Sequence, residues 1–492
     1  MSYKNFLSFS ITDSICTGTL CRYDSDENIM EIKDICRFSN SEISVGGHKY
    51  HDILSIFSHI KKGISKALKE TDNNIESIGI SAYGREYGLI DKYGFLIQNV
   101  FSCKDSRADN MTDKVLRFIK KDDVFTTTGA NLSKYSSMVQ LMAEMDSRPY
   151  ILENTDTFLM LPDLLNYMLT GRKTAEYTNA FSSQLMNCEK MDWSGKIISM
   201  LRIRRNIFPE ISDNCFNDML PEICSELKCE PVKIKICGSE ISNISAILEK
   251  YPQSVIINNS ENTKICISAD KPVLSKSASD YEIENTGTYN KKFIAFHNEN
   301  GINITDDTIK CFTQRDIPCS YSKLSNTALN AEPLRCFIDT QLDIFENNDN
   351  IPIAIQDYCK NSSQYVPQNV SEMVRCLYES IAFRYADTIE KLKRISSKSY
   401  NSVCITGKDS DNPVICRTLA DICGVSVYAL PEKTGLYCNL AIQMEQSLDM
   451  DIRDIISVLI PEEKITEYKP SGDNKALNAY QSFSVTSSYN CV

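Results

Sequence analysis

Cysteines are the side chains with the most chemical potential in this sequence, since the 492-residue chain contains 20 of them. They are scattered singly, none forms a CxxC pair, and the closest spacings are loose pairs such as Cys16 with Cys21 and Cys224 with Cys229. Disulfide frameworks are typical of short secreted chains, and zinc sites need tightly spaced thiols or imidazoles. The spacing therefore favours buried, unlinked thiols over disulfides or zinc ligands.

Histidines and glycines give no stronger sign of a site. His48 and His51 would share one face of a helix, but Gly46 and Gly47 beside them indicate a turn, and no thiol or carboxylate cluster completes a metal site. The phosphate-binding patterns GxxxxGKS, GxxxxGKT and GxGxxG are absent. The residues alone thus predict no metal site and neither of two familiar nucleotide loops.

Hydrophobic patterning predicts the elements that follow the N-terminus. Residues 6–20 mix apolar and hydroxyl side chains, a polar tip covers 24–27, and an apolar run covers 29–35, which together predict a β-hairpin. Residues 51–68 carry apolar side chains at steps of three and four, as in an amphipathic helix. A buried strand is expected at 75–80. Residues 157–171 start with an apolar run and end as a helix, since Pro162 and Asp163 suit a first turn and Gly171 a helix end.

The second half of the chain predicts a further α/β domain. Short β-like runs begin near Glu230 and Pro231, and later residues alternate between helical and strand patterns. The expected strands are residues 232–237, 254–258, 264–268, 402–405 and 425–429, and the expected helices are residues 370–395 and 413–423. We therefore predict one domain over residues 1–236, a second over 237–467, and a flexible, Ser- and Asn-rich tail over 468–492.

Composition excludes several classes of protein. Hydrophobic residues make up 42% and charged residues 24%, values typical of a folded chain. With 53 Lys and Arg against 65 Asp and Glu, the net charge is −12, which argues against a nucleic-acid partner. No apolar run is long enough to cross a bilayer and no secretory leader is visible. The sequence predicts a cytoplasmic protein with neither a membrane nor a nucleic-acid partner, and it leaves the oligomeric state open.

Five blocks of the sequence resemble bacterial rhamnulokinases, within the FGGY family of sugar kinases. The most specific block contains LPDLLNYMLTG, EYTNA and QLMN, and another, IGISAYGREYGLID, is similar to the family's IGIDTWGVDYGLLD. The five blocks occur in the family's order and span most of the chain: residues 37–52, 78–91, 104–107, 158–187 and 370–421.

The resemblance implies an α/β fold with two actin-like (ribonuclease H-like) ATPase domains flanking a central cleft. A sugar would bind the N-terminal domain, and ATP with Mg²⁺ mainly the C-terminal one. The implied reaction is transfer of the γ-phosphoryl group to a hydroxyl of a ketose such as L-rhamnulose, with a carboxylate as base.

The same resemblance identifies candidate site residues. Glu240 would be the catalytic base. Gly84, Ser239 and Ile241 would contact the sugar, with Arg85 and Glu86 as further candidates. The nucleotide would contact Asp13, Ser14, Thr263, Asn285 and Gly407. No residue is assigned as a direct metal ligand.

The ligand loops depart from the family pattern. The first phosphate loop, Asp-x-Gly-Ala/Thr-x-Ser-x-Arg in the family, has Ser10, Thr12 and Thr17 in place of aspartate, glycine and arginine. A carboxylate there would hold Mg²⁺, and glycine would let the backbone approach phosphate. The family's His-Asp-Thr reads Ser239-Glu240-Ile241, and the longer glutamate moves its carboxylate by about 1 Å, which costs on the order of a hundredfold in rate.

Three further loops differ in the same way. Residues 258–263 replace the family's Ser-Ser-Gly-Thr-Trp-Ser and bring Ser260 and Glu261 to the phosphate region. Residues 407–412 replace Gly-Gly-Gly-Ser-x-Asn, keep one glycine and add two acids, which would repel ATP. The sugar-side Asp-Thr-Trp-Gly becomes residues 81–84, of which only Gly84 is retained. We therefore expect ATP and Mg²⁺ to bind weakly.

Two functions from different classes remain open. The first is an ATP-dependent ketose kinase that uses Glu240 as base, with a different substrate or phosphoryl donor as a variant of it. The second is a catalytically inactive kinase-fold protein that binds a sugar or another small molecule for regulation. The family-like blocks resemble packing elements that any member needs to fold, whereas the departures lie in ligand loops.

Overall fold

The computed structural model describes residues 3–82, 84–212, 216–345, 348 and 350–489. Its strands are β1 Tyr3–Ile11, β2 Ile15–Asp24, β3 Ile29–Ser39, β4 Ile43–Val45, β5 His48–His51, β6 Ser77–Ala82, β7 Tyr87–Ile90, β8 Val100–Phe101, β9 Thr157–Met160, β10 Ala175–Glu176, β11 Met186–Asn187, β12 Asp192–Trp193, β13 Ile211–Ser212, β14 Phe216–Asp218, β15 Lys233–Ile236, β16 Ser254–Asn259, β17 Thr263–Ala269, β18 Glu284–Gly287, β19 Phe293–Glu299, β20 Ser402–Gly407, β21 Ser426–Ala429 and β22 Thr466–Tyr468.

Helices connect these strands. They are α1 Ile53–Glu70, α2 Met111–Leu116, α3 Lys121–Thr128, α4 Ser137–Ser147, α5 Pro149–Asn154, α6 Leu161–Thr170, α7 Tyr177–Ser182, α8 Gly195–Met200, α9 Pro221–Leu227, α10 Glu240–Ile244, α11 Ala246–Lys250, α12 Lys276–Asp280, α13 Ile302–Thr313, α14 Tyr321–Ala328, α15 Ile351–Asn361, α16 Val370–Ser396, α17 Pro413–Cys423, α18 Thr434–Leu448, α19 Ile452–Leu459 and α20 Lys475–Tyr489.

The chain forms two compact units, and each combines separate stretches of sequence. The first unit contains Met1–Lys250, Ser268–Ala295 and Gly435–Leu459, and the second contains Tyr251–Ile267, Phe296–Thr434 and Ile460–Val492. The sequence-based division at residues 236 and 237 instead assumed two continuous segments. The structure therefore interleaves the chain between the units more than the sequence suggests.

A six-stranded sheet, in the order β14-β15-β6-β1-β2-β3, is the centre of the first unit. Strands β1, β6 and β15 are parallel neighbours, whereas β2 and β3 are added as antiparallel hairpins. Helix α1 buries Ile56, Ile60 and Ile64 on one face, as its three- and four-residue spacing predicts, and Asp52 caps its first turn by accepting a hydrogen bond from the Ser55 N–H at 3.0 Å.

The second unit has its own sheet, in which β17, β16, β20, β21 and β22 are successive neighbours. Strands β16, β20 and β21 are parallel, and α16 and α17 lie in the crossovers between them. The predicted alternation of strands and helices is thus confirmed.

Two predicted segments differ from the structure. The stretch at residues 6–20 is broken at Thr12 into β1 and β2, because the Thr12 side chain closes a tight turn with Ile15. The sequence also predicts a flexible tail over residues 468–492, but helix α20 covers Lys475–Tyr489 of this stretch, and residues 490–492 lie outside the described residues. Tyr480 and Phe483 of α20 pack on the ring of Phe383, and this aromatic contact offsets the polar composition.

Most cysteines are buried and unlinked, as predicted. The described cysteines are free thiols, and Cys16, Cys188 and Cys404 are fully enclosed. Cys215 and Cys491 lie outside the described residues. Across the described ranges, we find no helix that is both long and apolar enough to cross a bilayer.

Candidate functional site

One edge of the first unit's sheet gathers the loops that the sequence assigns to sugar and phosphate. Strands β1, β6 and β15 run in parallel, with Ile11 opposite Ala82 and Ile80 opposite Ile236. Their carboxyl ends therefore meet at the same edge, where ligands bind in sheets of this type. Asp13 and Ser14 follow β1, Gly84 follows β6, and Ser239, Glu240 and Ile241 follow β15. Tyr83, beside Gly84, lies outside the described residues.

Helix α7 holds two of these loops in place. A Cβ atom on Gly84 would lie 2.6 Å from Ser182 Oγ, and one on Gly238 would lie 2.2 Å from Thr178 Oγ1. Gly238 also has a φ of +60°, and the Ser239 N–H donates to Thr178 Oγ1 at 3.4 Å. Both loops thus approach α7 so closely that neither glycine position has room for a side chain without local adjustment.

Two buried carboxyl groups fix the start of α7. Glu176 accepts hydrogen bonds from the backbone N–H groups of Thr178 at 2.8 Å and Asn179 at 2.9 Å, and from the Thr178 hydroxyl at 2.7 Å. Asp163 accepts from Asn179 Nδ2 at 2.9 Å and from the Glu176 N–H at 3.1 Å. Burial raises the pKa of both carboxyl groups. The LPDLLNYMLTG and EYTNA blocks therefore build the support of the candidate site.

These supporting residues are what sequence reasoning missed. Glu176 and Thr178 lie in the block most similar to the family, but the sequence alone indicated only packing. The sequence signal that could have found them is the helix start itself, because Glu176 is the N-cap of α7. Thr178, two residues later, accepts a hydrogen bond from the Ser239 N–H in the loop after β15.

Ser239, Glu240 and Ile241 have different environments, although they are consecutive. The Ser239 hydroxyl is buried and has no hydrogen-bond partner among the described residues. Ile241 is buried in the protein. Glu240 lies against the first turn of α18, where a Cβ atom on Gly435 would be 3.3 Å from Glu240 Oε1. Ser239 is thus the polar group in this trio that lacks a hydrogen-bond partner in the described part of the protein, and buried polar groups of this kind are often completed by a ligand or water.

The turn after β1 is closed by its own side chains. Thr12 Oγ1 donates to the Ile15 carbonyl at 2.9 Å and accepts from the Ile15 N–H at 3.1 Å. The Asn40 side chain donates to the Thr12 carbonyl at 2.7 Å. Asp13 forms an ion pair with Lys104 at 2.6 Å; partial burial lowers the pKa of Lys104, but Asp13 outweighs this effect and raises it to about 12. The carboxylate of this turn is therefore already paired with a cation of the protein.

The GREYG segment contributes one buried acid and one partly exposed base. Glu86 accepts a hydrogen bond from the Cys103 N–H at 3.1 Å and lies 3.8 Å from His51 Nε2. Its second carboxylate oxygen, Oε2, is buried without a hydrogen-bond partner in the described part of the protein. The Arg85 carbonyl accepts from the Ser137 hydroxyl at 2.7 Å, while its side chain is partly exposed.

In the second unit, Thr263 and Gly407 meet at Asn259. Asn259 pairs with Thr263 across β16 and β17 and with Gly407 across β16 and β20. Thr263 Oγ1 donates to Asn259 Oδ1 at 2.9 Å and accepts from the Ile302 N–H at 3.1 Å. The Thr263 hydroxyl is therefore used in hydrogen bonds inside this unit.

Asn285 belongs to the first unit, unlike the other two predicted adenine-side residues. Its Nδ2 donates to the carbonyls of Gly129 at 2.9 Å and Val273 at 3.1 Å, and its Oδ1 accepts from the Val273 N–H at 2.6 Å. The amide is buried and fastens two loops together. The structure thus places Thr263 with Gly407 but does not group Asn285 with them.

Asp409 is an acid in the predicted nucleotide motif whose surroundings disfavour charge. Burial raises its pKa to about 7, although a hydrogen bond from Asn412 Nδ2 at 2.9 Å lowers it and Asp411 raises it further. Its φ of 54° is also unusual for a residue other than glycine. The motif therefore contains a carboxyl group that titrates near neutral pH.

This titration predicts a pH-dependent stability. The pKa of Asp409 is about 4 in the unfolded chain and about 7 in the folded protein. Between these pH values the folded state therefore binds one proton more than the unfolded state. The free energy of unfolding consequently falls as the pH rises through this window. We expect Asp409→Asn to raise the free energy of unfolding at pH 8 by about 1–3 kcal/mol and to change it little at pH 4. Urea unfolding at both pH values measures this. The exposed Asp357→Asn is the control, and an equal gain at both pH values would contradict the argument.

Comparisons with known proteins identify the family. Residues 23–241 match the N-terminal domain, and residues 286–436 the C-terminal domain, of the FGGY family of carbohydrate kinases. The chain belongs to this family. A rhamnulokinase from Oceanobacillus iheyensis is 27% identical over 420 residues, which cover 84% of this chain and 88% of that protein. A rhamnulokinase from Bacteroides thetaiotaomicron is 27% identical over 445 residues, covering 88% and 90%.

Solved structures agree with the sequence relatives. The glycerol kinase of Plasmodium falciparum with ADP has a TM-score of 0.80 at 16% identity, covering 99% of this chain and 98% of that one. The ligand-bound xylulose kinase of Lactobacillus acidophilus has a TM-score of 0.79 at 16% identity, covering 97% and 96%. The expected α/β fold with two actin-like domains is thus confirmed. The protein is a member of the FGGY family of carbohydrate kinases that is similar to rhamnulokinases, and kinases of this family use ATP, generally with Mg²⁺.

Proposed function

We propose that this FGGY protein binds a ketose of the L-rhamnulose type at the sheet edge of its first unit and transfers phosphoryl groups to it only weakly. The observation that carries this proposal is the turn after β1. Ser10 and Thr12 stand where the resemblance requires a Mg²⁺-holding carboxylate and a glycine, and the Thr12 hydroxyl closes the turn on Ile15. Asp13, the nearby carboxylate, is paired with Lys104.

The residues present do not fit Mg²⁺ and ATP in the way the family pattern requires. Thr12 adds a Cβ where close backbone approach to phosphate is needed. In the second unit, the Thr263 hydroxyl already forms hydrogen bonds with Asn259 Oδ1 and the Ile302 N–H. Asp409 places a carboxyl group in the nucleotide motif. Glu261 and Asp411 bring further acids to the two nucleotide loops, and since an added anion repels a triphosphate, we expect weak nucleotide binding.

The ketose side of the site is supported by better geometry. Gly84 and the segment 239–241 lie at the carboxyl ends of neighbouring parallel strands, supported by α7. The Ser239 hydroxyl is buried without a protein partner among the described residues, and a sugar hydroxyl would complete its hydrogen bonding. Similarity to rhamnulokinases makes L-rhamnulose the first probe.

A working ketose kinase is the second candidate. Glu240 supplies a carboxylate at the same sheet edge as Gly84, next to Ser239. In this alternative Glu240 would accept the proton of the attacking hydroxyl, and Mg-ATP would bind with an affinity ordinary for a kinase. Rapid phosphorylation of a ketose by the unmodified protein would establish this candidate in place of the first.

Thermal unfolding with separate ligands tests the proposal. Since a ligand of the folded state stabilises it by RT ln(1 + [L]/Kd), L-rhamnulose should raise the Tm by a few degrees, whereas millimolar Mg-ATP should leave it almost unchanged. Calorimetry that shows micromolar Mg-ATP binding would contradict the weak-nucleotide part.

A pair of serine variants tests where the ketose binds. Ser239→Ala should weaken ketose binding about tenfold at nearly unchanged stability, because no described residue hydrogen-bonds to the hydroxyl that is lost. Ser183→Ala is the control: its hydroxyl donates to the Ala180 carbonyl at 2.6 Å and accepts from the Leu185 N–H at 3.0 Å. It should lower the Tm without changing ketose affinity. Equal ketose affinity in the unmodified protein and Ser239→Ala would place the sugar elsewhere.

A further inference from the structure

Three cysteines from separate segments converge inside the second unit. Cys336 lies between α14 and α15, Cys359 near the end of α15, and Cys376 in the second turn of α16. Their sulfur atoms all lie within 4.8 Å of one another. The side chains are 3%, 0% and 2% exposed, respectively, so the cluster is closed to bulk water.

The backbone around Cys336 is held in place by groups other than the thiols. The Leu334 N–H donates to Glu379 Oε2 at 2.8 Å, and the Ile338 N–H donates to Ser380 Oγ at 2.9 Å, both on α16. On the side of α15, Gln364 accepts from the Phe337 N–H and donates to the Phe337 carbonyl, each at 2.9 Å. The segment is thus fastened on both sides of Cys336, and the three sulfurs are preorganised.

Glu379 is itself anchored, so it is not available to act as a fourth ligand. Its Oε1 accepts a hydrogen bond from Arg375 Nε at 2.5 Å, while its Oε2 binds the Leu334 N–H. Within the described residues, the cluster of groups that could hold a metal here consists of the three cysteines alone. Among the described His, Cys, Asp and Glu side chains, an ion in this place would therefore find three sulfur ligands.

We propose that Cys336, Cys359 and Cys376 form a binding site for one thiophilic metal ion of low coordination number, with Cu⁺ the ion whose chemistry it fits best. Soft thiolate ligands select Cu⁺, Zn²⁺ or iron–sulfur clusters. Structural zinc sites are almost always four-coordinate, and this buried site offers three sulfurs. Metal–sulfur bonds of about 2.3 Å place thiolates roughly 4 Å apart in a trigonal plane, so a contraction of less than about 1 Å suffices.

Binding requires no change of oxidation state. Cu⁺ enters, the sulfurs of Cys336, Cys359 and Cys376 become its ligands, and each thiol that ligates as a thiolate releases its proton to solvent. The bound ion would join α15, α16 and the segment between α14 and α15. This inference is independent of the proposed sugar binding, because it uses none of the same residues.

Competition with a colorimetric Cu⁺ chelator under anaerobic, reducing conditions tests the site. We expect the full-length protein to take one equivalent of Cu⁺ from the chelator, and Cys359→Ala to bind it at least tenfold more weakly. Cys266→Ala is the matched control, since Cys266 is a buried cysteine of the same unit outside the cluster. It should retain the affinity of the unmodified protein. Cu⁺ should also raise the Tm of the unmodified protein and of Cys266→Ala, but not of Cys359→Ala.

A second variant keeps the test decisive if Cys359→Ala fails to fold. Cys336→Ala removes a ligand from a non-helical segment that its neighbours hold by hydrogen bonds, and it should lose Cu⁺ binding equally. Failure of the unmodified protein to compete with the chelator, or unchanged uptake in Cys336→Ala, would overturn the site. Tighter binding of Zn²⁺ than of Cu⁺ in the same competition would overturn the three-coordinate assignment.

Discussion

Glu240→Asp alone is expected to leave the rate of L-rhamnulose phosphorylation within about twofold of the unmodified protein. Combining Ser10→Asp, Thr12→Gly, Glu240→Asp and Ser260→Gly should raise that rate on the order of a hundredfold. The reason is that metal binding, phosphate positioning and the base act as one unit, within which single effects are strongly non-additive.

Each substitution in this set answers one structural feature. Ser10→Asp adds a carboxylate near the end of β1, where Ser10 pairs with Ser81 of β6. Thr12→Gly removes the hydroxyl that closes the turn on Ile15. Glu240→Asp shortens the reach of a carboxylate that now lies against α18, and Ser260→Gly restores a small residue between β16 and β17. Each change corrects only its own feature, so no single substitution can replace the other three.

A coupled assay of ADP formation with L-rhamnulose and Mg-ATP measures the outcome. The triple variant that lacks only Glu240→Asp is the matched control, because it tests whether the positioning groups suffice with the longer base. A large gain from Glu240→Asp alone would refute the distributed defect. Rapid turnover by the unmodified protein would refute the weak-transfer proposal outright.

The sequence was most informative where hydrophobic periodicity coincided with capping residues. The predicted helix at residues 51–68 corresponds to Ile53–Glu70, and that at residues 413–423 to Pro413–Cys423. Both have one apolar face and an Asp or Asn side chain that caps the first turn. Local pattern and tertiary burial agree in these helices, and their bounds could therefore be read directly.

Long-range contacts are what the sequence could not reveal. Periodicity does not show that Tyr480 and Phe483 reach Phe383, so the polar composition of the tail predicts flexibility instead. The three clustered cysteines are separated by 22 and 16 intervening positions in the sequence, a spacing unlike that of familiar metal motifs. Their proximity depends on how two helices and a connecting segment pack.

The candidate site was predictable to a different degree at each residue. The parallel strands β1, β6 and β15 make it understandable that Asp13, Gly84 and Glu240 reach one sheet edge. The hydrogen bonds of the other candidate residues were not predictable, because they join residues far apart in sequence. Asn285, for example, binds Val273 and Gly129. Its assignment to nucleotide binding stays a prediction, as do the roles of the other site residues.

Gly407→Ala is expected to be among the most destabilising single substitutions in the second unit, costing more than about 3 kcal/mol of unfolding free energy. Gly407 has a φ of +88°, a region that costs other residues about 1–2 kcal/mol. A Cβ atom there would also lie 2.0 Å from the Asn259 carbonyl oxygen, which is backbone and cannot move aside alone. That carbonyl already accepts a hydrogen bond from the Lys408 N–H at 2.7 Å.

Gly424→Ala separates the strain of a positive φ from the steric clash. Gly424 ends α17 with a φ of +67°, and a Cβ atom there meets nothing within 4 Å, so its substitution should cost only about 1 kcal/mol. Urea unfolding of both variants measures the difference. If the two costs differ by at least about 2 kcal/mol, Gly407, the glycine retained from the family's nucleotide motif, is required by the fold itself. The reason is the close approach of β16 and β20 at Asn259. Equal costs for the two variants would instead show that this glycine is free of structural constraint beyond its φ, and that its retention in the loop needs a ligand to explain it.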